Sequence, residues 1–250
     1  MKKLEFFDCE ASFGICGYKR ENTPITKDEM LSKFDRYGID SAVMRYEFAA
    51  YGITYDGNLE LVDEISGDSR LYPMWHVLPH HTGEFPEPEE LVALMKKHDV
   101  RIVTLQSEGW TVGEWTCGEL FTALEKHKIP LLLPISRVGN SYAALYEILK
   151  NHRDLRVILT GISYTCMRDV YALLKIFPNL YICTSTYKGF EAIEDTVEHF
   201  GAERLIFGSG MPALSGAASV ALITYSRISE DEKQMIASGN LKKLMSEVQF

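Results

Sequence analysis

Residues 130–161 read "PLLLPISRVGNSYAALYEILKNHRDLRVILTG". Two apolar runs, "PLLLPIS" and "LRVILTG", flank the amphipathic segment "SYAALYEILKNH". Neither run alternates apolar with polar residues, which is the pattern of strands buried on both faces of a parallel sheet. Parallel neighbours need a long crossover, and the middle segment reads as the helix that makes it. The same unit recurs along the chain. Further strand candidates are "LEFFD" (4–8), "DSAVMRY" (40–46), "LYPMWHV" (71–77), "VRIVTLQ" (100–106), "LYICTS" (180–185) and "RLIFGS" (204–209).

Helical segments fill the gaps. "TKDEMLSKFDRYG" has Thr26 as N-cap, Glu29 at the capping-box position and Gly38 as its stop. "EPEELVALMKKHD" ends in a basic turn that complements the helix dipole. The stretch between strands 2 and 3 is the least regular and reads as one short helix, from about Asn58 to Ile65. Two helices, "ASVALITYSR" and "SEDEKQMIASGNLKKLM", close the chain. Eight strands with alternating helices predict a (β/α)8 barrel; a doubly wound open sheet is the rival, and the even spacing favours closure. Residues 1–250 read as a single barrel domain, because "GEFPEPEE" (83–90) is a loop and no linker is visible.

A net charge of −9 argues against nucleic acid or an anionic membrane as partner. Cys9, Cys16, Cys117, Cys166 and Cys183 are odd in number and show no CxxC pair, so reduced thiols in a cytoplasmic protein are expected. "MKKLEFFDCEAS" carries acids and too short an apolar run for a signal peptide, and no run reaches membrane-spanning length. Homo-oligomer formation stays open.

In such barrels the chemistry sits where strands end. Those ends carry Asp8, Glu10 and Ser12; Arg45, Tyr46 and Glu47; His76, with His80 and His81 beyond; Gln106, Ser107 and Glu108, then Trp110 and Trp115; Ser136 and Arg137; Thr160; Thr184 and Thr186; and Ser209.

Read together, these ends resemble the amidohydrolase-related, metal-dependent hydrolase family. Arg204, Phe207, Gly208, Ser209 and Pro212 match an arginine-led strand ending Phe-Gly-Ser-Asp-x-Pro, and Gly239, Asn240 and Leu244 match its terminal helix. "DGNLELVDEISGDSRLYPMWHVLP" (56–79) is similar to the family's third-strand approach, and "FDCEASFG" to its first-strand Asp-x-His-x-His-x-Gly. The resemblance implies one or two divalent ions held by that His-x-His pair, by histidines of strands 5 and 6 and by the strand-8 aspartate. Here those places carry Glu10 and Ser12, Pro134, Thr160-Gly161 and Gly210. The expectation is therefore no metal and no other cofactor.

Glu10 then becomes either the general acid or base, or the structural partner of Arg45 or Arg137. Asp8, two residues earlier on the same face, is expected to be structural. Arg45 and Arg137 offer planar forks for a substrate carboxylate or phosphate. His76, Gln106 and Trp110 complete the expected substrate contacts, and Trp110 and Trp115 could stack on a ring. Cys9, between two inward positions, is expected to face the helices as a core residue. The function expected is a metal-independent hydrolase, lactonase-like, or an isomerase acting on a small polar anion, possible ligands including carboxylate-bearing molecules. The alternative is a catalytically inactive barrel that binds a metabolite or a protein partner.

Overall fold

The computed structural model describes residues 3–15, 24–106 and 109–250. Cys16, Ser107 and Glu108 lie outside the described residues.

Eight parallel strands form the sheet: β1 (Phe7–Phe13), β2 (Ser41–Tyr46), β3 in two pieces (Leu71–Pro73 and Trp75–Val77), β4 (Val103–Leu105), β5 (Leu131–Pro134), β6 (Val157–Thr160), β7 (Leu180–Cys183) and β8 (Leu205–Ile206). Each pairs with the next in parallel register. The first half of β3 pairs with β2 and the second half with β4, on either side of Met74. Closure comes from β1 against the end of β8: Cys9 N–H donates to Phe207 O (3.0 Å), Gly210 N–H to Glu10 O (2.9 Å) and Ser12 N–H to Met211 O (3.0 Å). The sheet is thus a closed (β/α)8 barrel.

The helices follow the sequence closely. Thr26 and Glu29 form the expected capping box on α1 (Lys27–Tyr37), and Gly38 ends it in the left-handed region at φ 73°. Between β2 and β3 there are two helices rather than one, α2 (Glu47–Tyr51) and α3 (Thr54–Ile65). Then come α4 (Pro88–Lys97), α5 (Glu114–Lys126), α6 (Tyr142–Asn151), α7 (Met167–Ile176), α8 (Ala192–Phe200) and α9 (Gly216–Thr224). The chain closes with α10 (Glu230–Gln234), a π-helical turn over Met235–Gly239 and α11 (Asn240–Ser246).

Two apolar layers hold this together. One lies between sheet and helices. The other fills the barrel interior with Phe7, Cys9, Val43, Met74, Ile102, Leu132, Ile158, Cys183 and Ile206, and Leu241, Leu244 and Met245 of α11 pack against it. Arg101 and Arg156, just ahead of β4 and β6, donate to Met245 O and Leu244 O, so α11 plugs the end where strands begin. The opposite, C-terminal end remains as the mouth.

The motif residues quoted above are largely staples. Arg204 donates to the carbonyls of Leu180 (2.9 Å) and Phe177 (2.6 Å), and Asn240 to those of Ala202 (2.8 Å) and Leu205 (2.9 Å). Arg70 donates to Asp40 O (2.9 Å) and Ile39 O (3.0 Å). Each satisfies buried backbone at a strand approach, where the ladder cannot.

Candidate active site at the mouth of the barrel

The site begins with an irregularity in β1. Its register against β2 shifts between Asp8 and Ala11, a bulge that turns consecutive side chains away from strict alternation. Asp8 holds the bulge: its Oδ1 accepts the N–H of Glu10 (2.9 Å) and of Ser209 (2.8 Å), tying β1 to the end of β8. Burial pushes the Asp8 carboxyl up to about 6, against those N–H bonds, which favour its charge. Its Oδ2 is buried with no hydrogen-bond partner among the described residues.

Two expectations are corrected here. Asp8 and Glu10 do not share one face, and Cys9 does not face the helices. The extra residue puts both Cys9 and Glu10 inside: Cys9 joins the interior layer with its Sγ 3.6 Å from Cys183 Sγ, and Glu10 reaches across the mouth. Space for this comes from Gly208, where an added Cβ would stand 2.3 Å from Cys183 Sγ and 3.4 Å from Glu10 Cβ.

Glu10 Oε2 accepts hydrogen bonds from Ser185 Oγ (2.5 Å), Thr160 Oγ1 (2.7 Å) and Cys183 Sγ (3.3 Å). Its Oε1 lies 4.0 Å from Arg45 Nη2. The pairing with Arg45 is therefore a loose ion pair, and neutral donors from β6 and from β7 and its end do the close holding. Ser185 was not singled out in the sequence, where Thr184 and Thr186 were. Alternation from Cys183 was the available signal, since Cys183 and Ser185 share a face. Thr184 instead accepts the Gly208 N–H (3.2 Å).

His76 stands on β3, 3% exposed. Asn58 clamps its backbone from both sides, donating to His76 O (2.7 Å) and accepting from His76 N–H (2.9 Å). Burial, and after it the positive charge of Arg45, pushes the imidazole down to about 3, so it is neutral at pH 7. Its Nδ1 is buried without a partner among the described residues. Glu10, Arg45 and His76 thus form one group.

Gln106, Trp110 and Arg137 form another. The Trp110 Nε1–H donates to Gln106 Oε1 (3.1 Å), and the Arg137 guanidinium lies 4.6 Å from the Trp110 ring centre. Trp110 lines two cavities. One, of about 360 Å³, has Ile53, Tyr55, Leu78, Pro79 and Gln106 in its wall. The other, of about 730 Å³, has Trp115, Arg137 and Glu147 in its wall. His80 pairs with Glu119 of α5 (3.2 Å) and packs on His81.

Among the described residues no three His, Cys, Asp or Glu side chains stand close enough to share a metal ion. What the mouth offers a cation is oxygen: the Glu10 carboxylate and the Thr160 and Ser185 hydroxyls beside it. In kind these donors fit a hard cation such as Mn²⁺ rather than Zn²⁺, which takes imidazole and thiolate. No helix among the described residues is long and apolar enough to cross a membrane.

The sequence model of the amidohydrolase family matches residues 34–244. No curated protein matches the sequence. Among solved structures, a 2,6-dihydroxybenzoate decarboxylase complexed with 2,6-dihydroxybenzoate is similar at 15% identity and TM-score 0.77, over 98% of this chain and 100% of that one. A dihydroxybenzoic acid decarboxylase from Polaromonas sp. JS666, with bound manganese and 2-nitroresorcinol, is similar at 14% identity and TM-score 0.72, over 98% and 97%. A 5-carboxyvanillate decarboxylase from Novosphingobium aromaticivorans, with bound manganese and 3-methoxy-4-hydroxy-5-nitrobenzoic acid, is similar at 13% identity and TM-score 0.76, over 97% of both chains. These findings correct the expectation of a chain without a cofactor, since two structures of this fold hold manganese. The expectation rests on the missing histidines and strand-8 aspartate and leaves out the Thr160 and Ser185 hydroxyls that stand beside Glu10. On the match over residues 34–244, the chain belongs to the amidohydrolase family.

Proposed function

We propose that the chain is an enzyme that acts on a small carboxylate-bearing molecule at the mouth of the barrel, with Glu10 giving or taking the proton. The observation that carries this reading is the state of Glu10. One carboxylate oxygen is fixed by the Ser185 and Thr160 hydroxyls, and the other is turned toward Arg45 at 4.0 Å. A carboxylate held this way keeps one oxygen for a reacting group within reach. Arg45 supplies the positive charge that a substrate carboxylate seeks. His76, neutral and with an unpartnered Nδ1, adds a polar contact without a competing charge.

The similar decarboxylases, with their aromatic ligands, support a carboxylate substrate over the lactone and isomerase readings. In a decarboxylation, Glu10 would first take a proton from a substrate hydroxyl or from water and then return it to the carbon that loses CO₂; in a hydrolysis it would take one from water. A divalent cation held by Glu10 and its neighbouring oxygens would polarise the substrate's anionic oxygens.

The test is a panel of small aromatic and aliphatic carboxylates with purified protein and Mn²⁺, following CO₂ release and hydrolysis products. Turnover of at least one is expected, falling about 100-fold or more in Glu10→Gln, with little change in melting temperature. Binding without turnover in the wild type would favour the inactive, metabolite-binding barrel instead.

A further inference from the structure

We infer that the barrel mouth selects a carboxylate that also carries a hydroxyl or neutral N–H group, and that His76 makes the selection by accepting that group's hydrogen bond. The inference deepens the function proposed above and rests on the mouth being the carboxylate site.

The sheet sets the direction of the side chain. Met74, two residues earlier, belongs to the interior layer, whereas Trp75 and Val77 pack in the layer between sheet and helices. Alternation therefore turns His76 inward. Arg45 is turned the same way, two residues after the interior Val43 on β2.

The ring is fixed both in place and in tautomer. Asn58 holds the backbone N–H and C=O of His76 together. The imidazole's backbone partner is the Leu105 carbonyl on β4. A carbonyl calls for a donor, and Nδ1 has no partner among the described residues, so the ring proton sits on Nε2. Nδ1 is left as a lone pair, buried in a ring that is 3% exposed. A buried acceptor without a partner is costly, and a donor on the ligand removes that cost.

The surroundings decide which donor. The Arg45 charge acts on the ring and disfavours an ammonium group at Nδ1. A hydroxyl or neutral N–H meets the lone pair without that repulsion. Arg45 Nε is itself buried without a partner, and the guanidinium touches Glu10 only through the loose 4.0 Å ion pair. The mouth thus sets donors for a carboxylate beside an acceptor for a second group. A site built this way rejects the analogue that lacks the second group, because the buried acceptor is then left bare.

The experiment is calorimetric titration of benzoate and the three hydroxybenzoate isomers into metal-free wild type and His76→Leu, each checked for a cooperative thermal transition. EDTA in the buffer keeps a hydroxyl–metal chelate from imitating the contact. In the wild type at least one isomer should bind about tenfold or more tighter than benzoate. In His76→Leu that preference should vanish while benzoate still binds. A second measurement does not depend on the variant folding: in NMR of the wild-type histidine ring nitrogens, the Nδ1 resonance of His76 should shift with the preferred isomer and not with benzoate. Equal affinity for benzoate and all three isomers would overturn the inference and leave the carboxylate reading of the mouth standing. A preference kept in His76→Leu, or an Nδ1 resonance that does not move, would assign the hydroxyl to another residue and overturn it too. No binding by any of the four also overturns it, and turnover in the Mn²⁺ assay then judges Glu10 separately.

Discussion

His76 is held neutral by its surroundings, and that makes a measurable signature. Its folded-state pKa, about 3, lies below the usual 6.5. The unfolded chain therefore binds the extra proton first as pH falls. The stability contributed is complete above pH 6.5 and is lost on the way down to about 3, on the order of 5 kcal/mol in all. Asp8 runs the opposite way: its pKa is raised from 3.8 to about 6, so the folded state binds the proton more tightly and stability falls as pH rises through 4 to 6. In the wild type the two slopes oppose each other across that window. His76→Gln should flatten the acid limb and uncover the Asp8 slope, so urea unfolding of the variant from pH 4 to 6 should show stability decreasing with pH. A variant still losing stability steeply toward acid would assign the titration elsewhere. That His76 stands near the end of a strand was legible, because it is the last residue but one of the run 71–77. Its neutrality was not, because that depends on burial and on Arg45, which lies on another strand.

At the scale of elements, the sequence is legible wherever local chemistry decides. The capping box at Thr26 and Glu29 and the glycine stop at Gly38 are local bonds, and they form as read. The β1 bulge is different. It is stabilised by Asp8 accepting a hydrogen bond from the backbone N–H of Ser209, 201 positions away, and nothing in "FDCEAS" announces that partner. Strict alternation therefore placed Cys9 outside and left the interior contact of Cys9, Cys183 and Gly208 unseen. That contact predicts an epistatic pair. Gly208→Ala would drive a methyl to 2.3 Å from Cys183 Sγ at the strand end that shapes Glu10's surroundings. The cost should be about 1–3 kcal/mol. Cys183→Ala removes the obstructing sulfur, so the double variant should recover most of the loss relative to Cys183→Ala alone. Additive losses in denaturant unfolding would mean that the methyl collides with something other than the thiol.

At the scale of the whole molecule, the barrel was legible because its cause is repeated: eight apolar runs need two covered faces each, and helices between them supply the outer cover. The plugging of the lower end by α11 follows from that repetition too, since a barrel interior of Phe7, Ile102, Leu132 and Ile158 cannot face water. The cofactor was misread for the converse reason. A metal site is defined by atoms that meet in space, and the missing histidines left oxygen donors on β1, β6 and after β7 to be weighed only once Glu10, Thr160 and Ser185 stood together. Manganese in similar barrels makes this a quantitative question for the present chain. A cation that binds only the folded state stabilises it by about 2.7 kcal/mol at a hundred times its dissociation constant. For a chain of this length that raises the melting temperature by about 5 °C or more. MnCl₂ should therefore shift the wild type, and Glu10→Gln, which keeps the shape and removes the charge, should lose the shift. An equal shift in both would move the cation away from Glu10. A flat response in the wild type would mean that the Arg45 guanidinium, 4.0 Å from Glu10, supplies the positive charge at this mouth in the cation's stead.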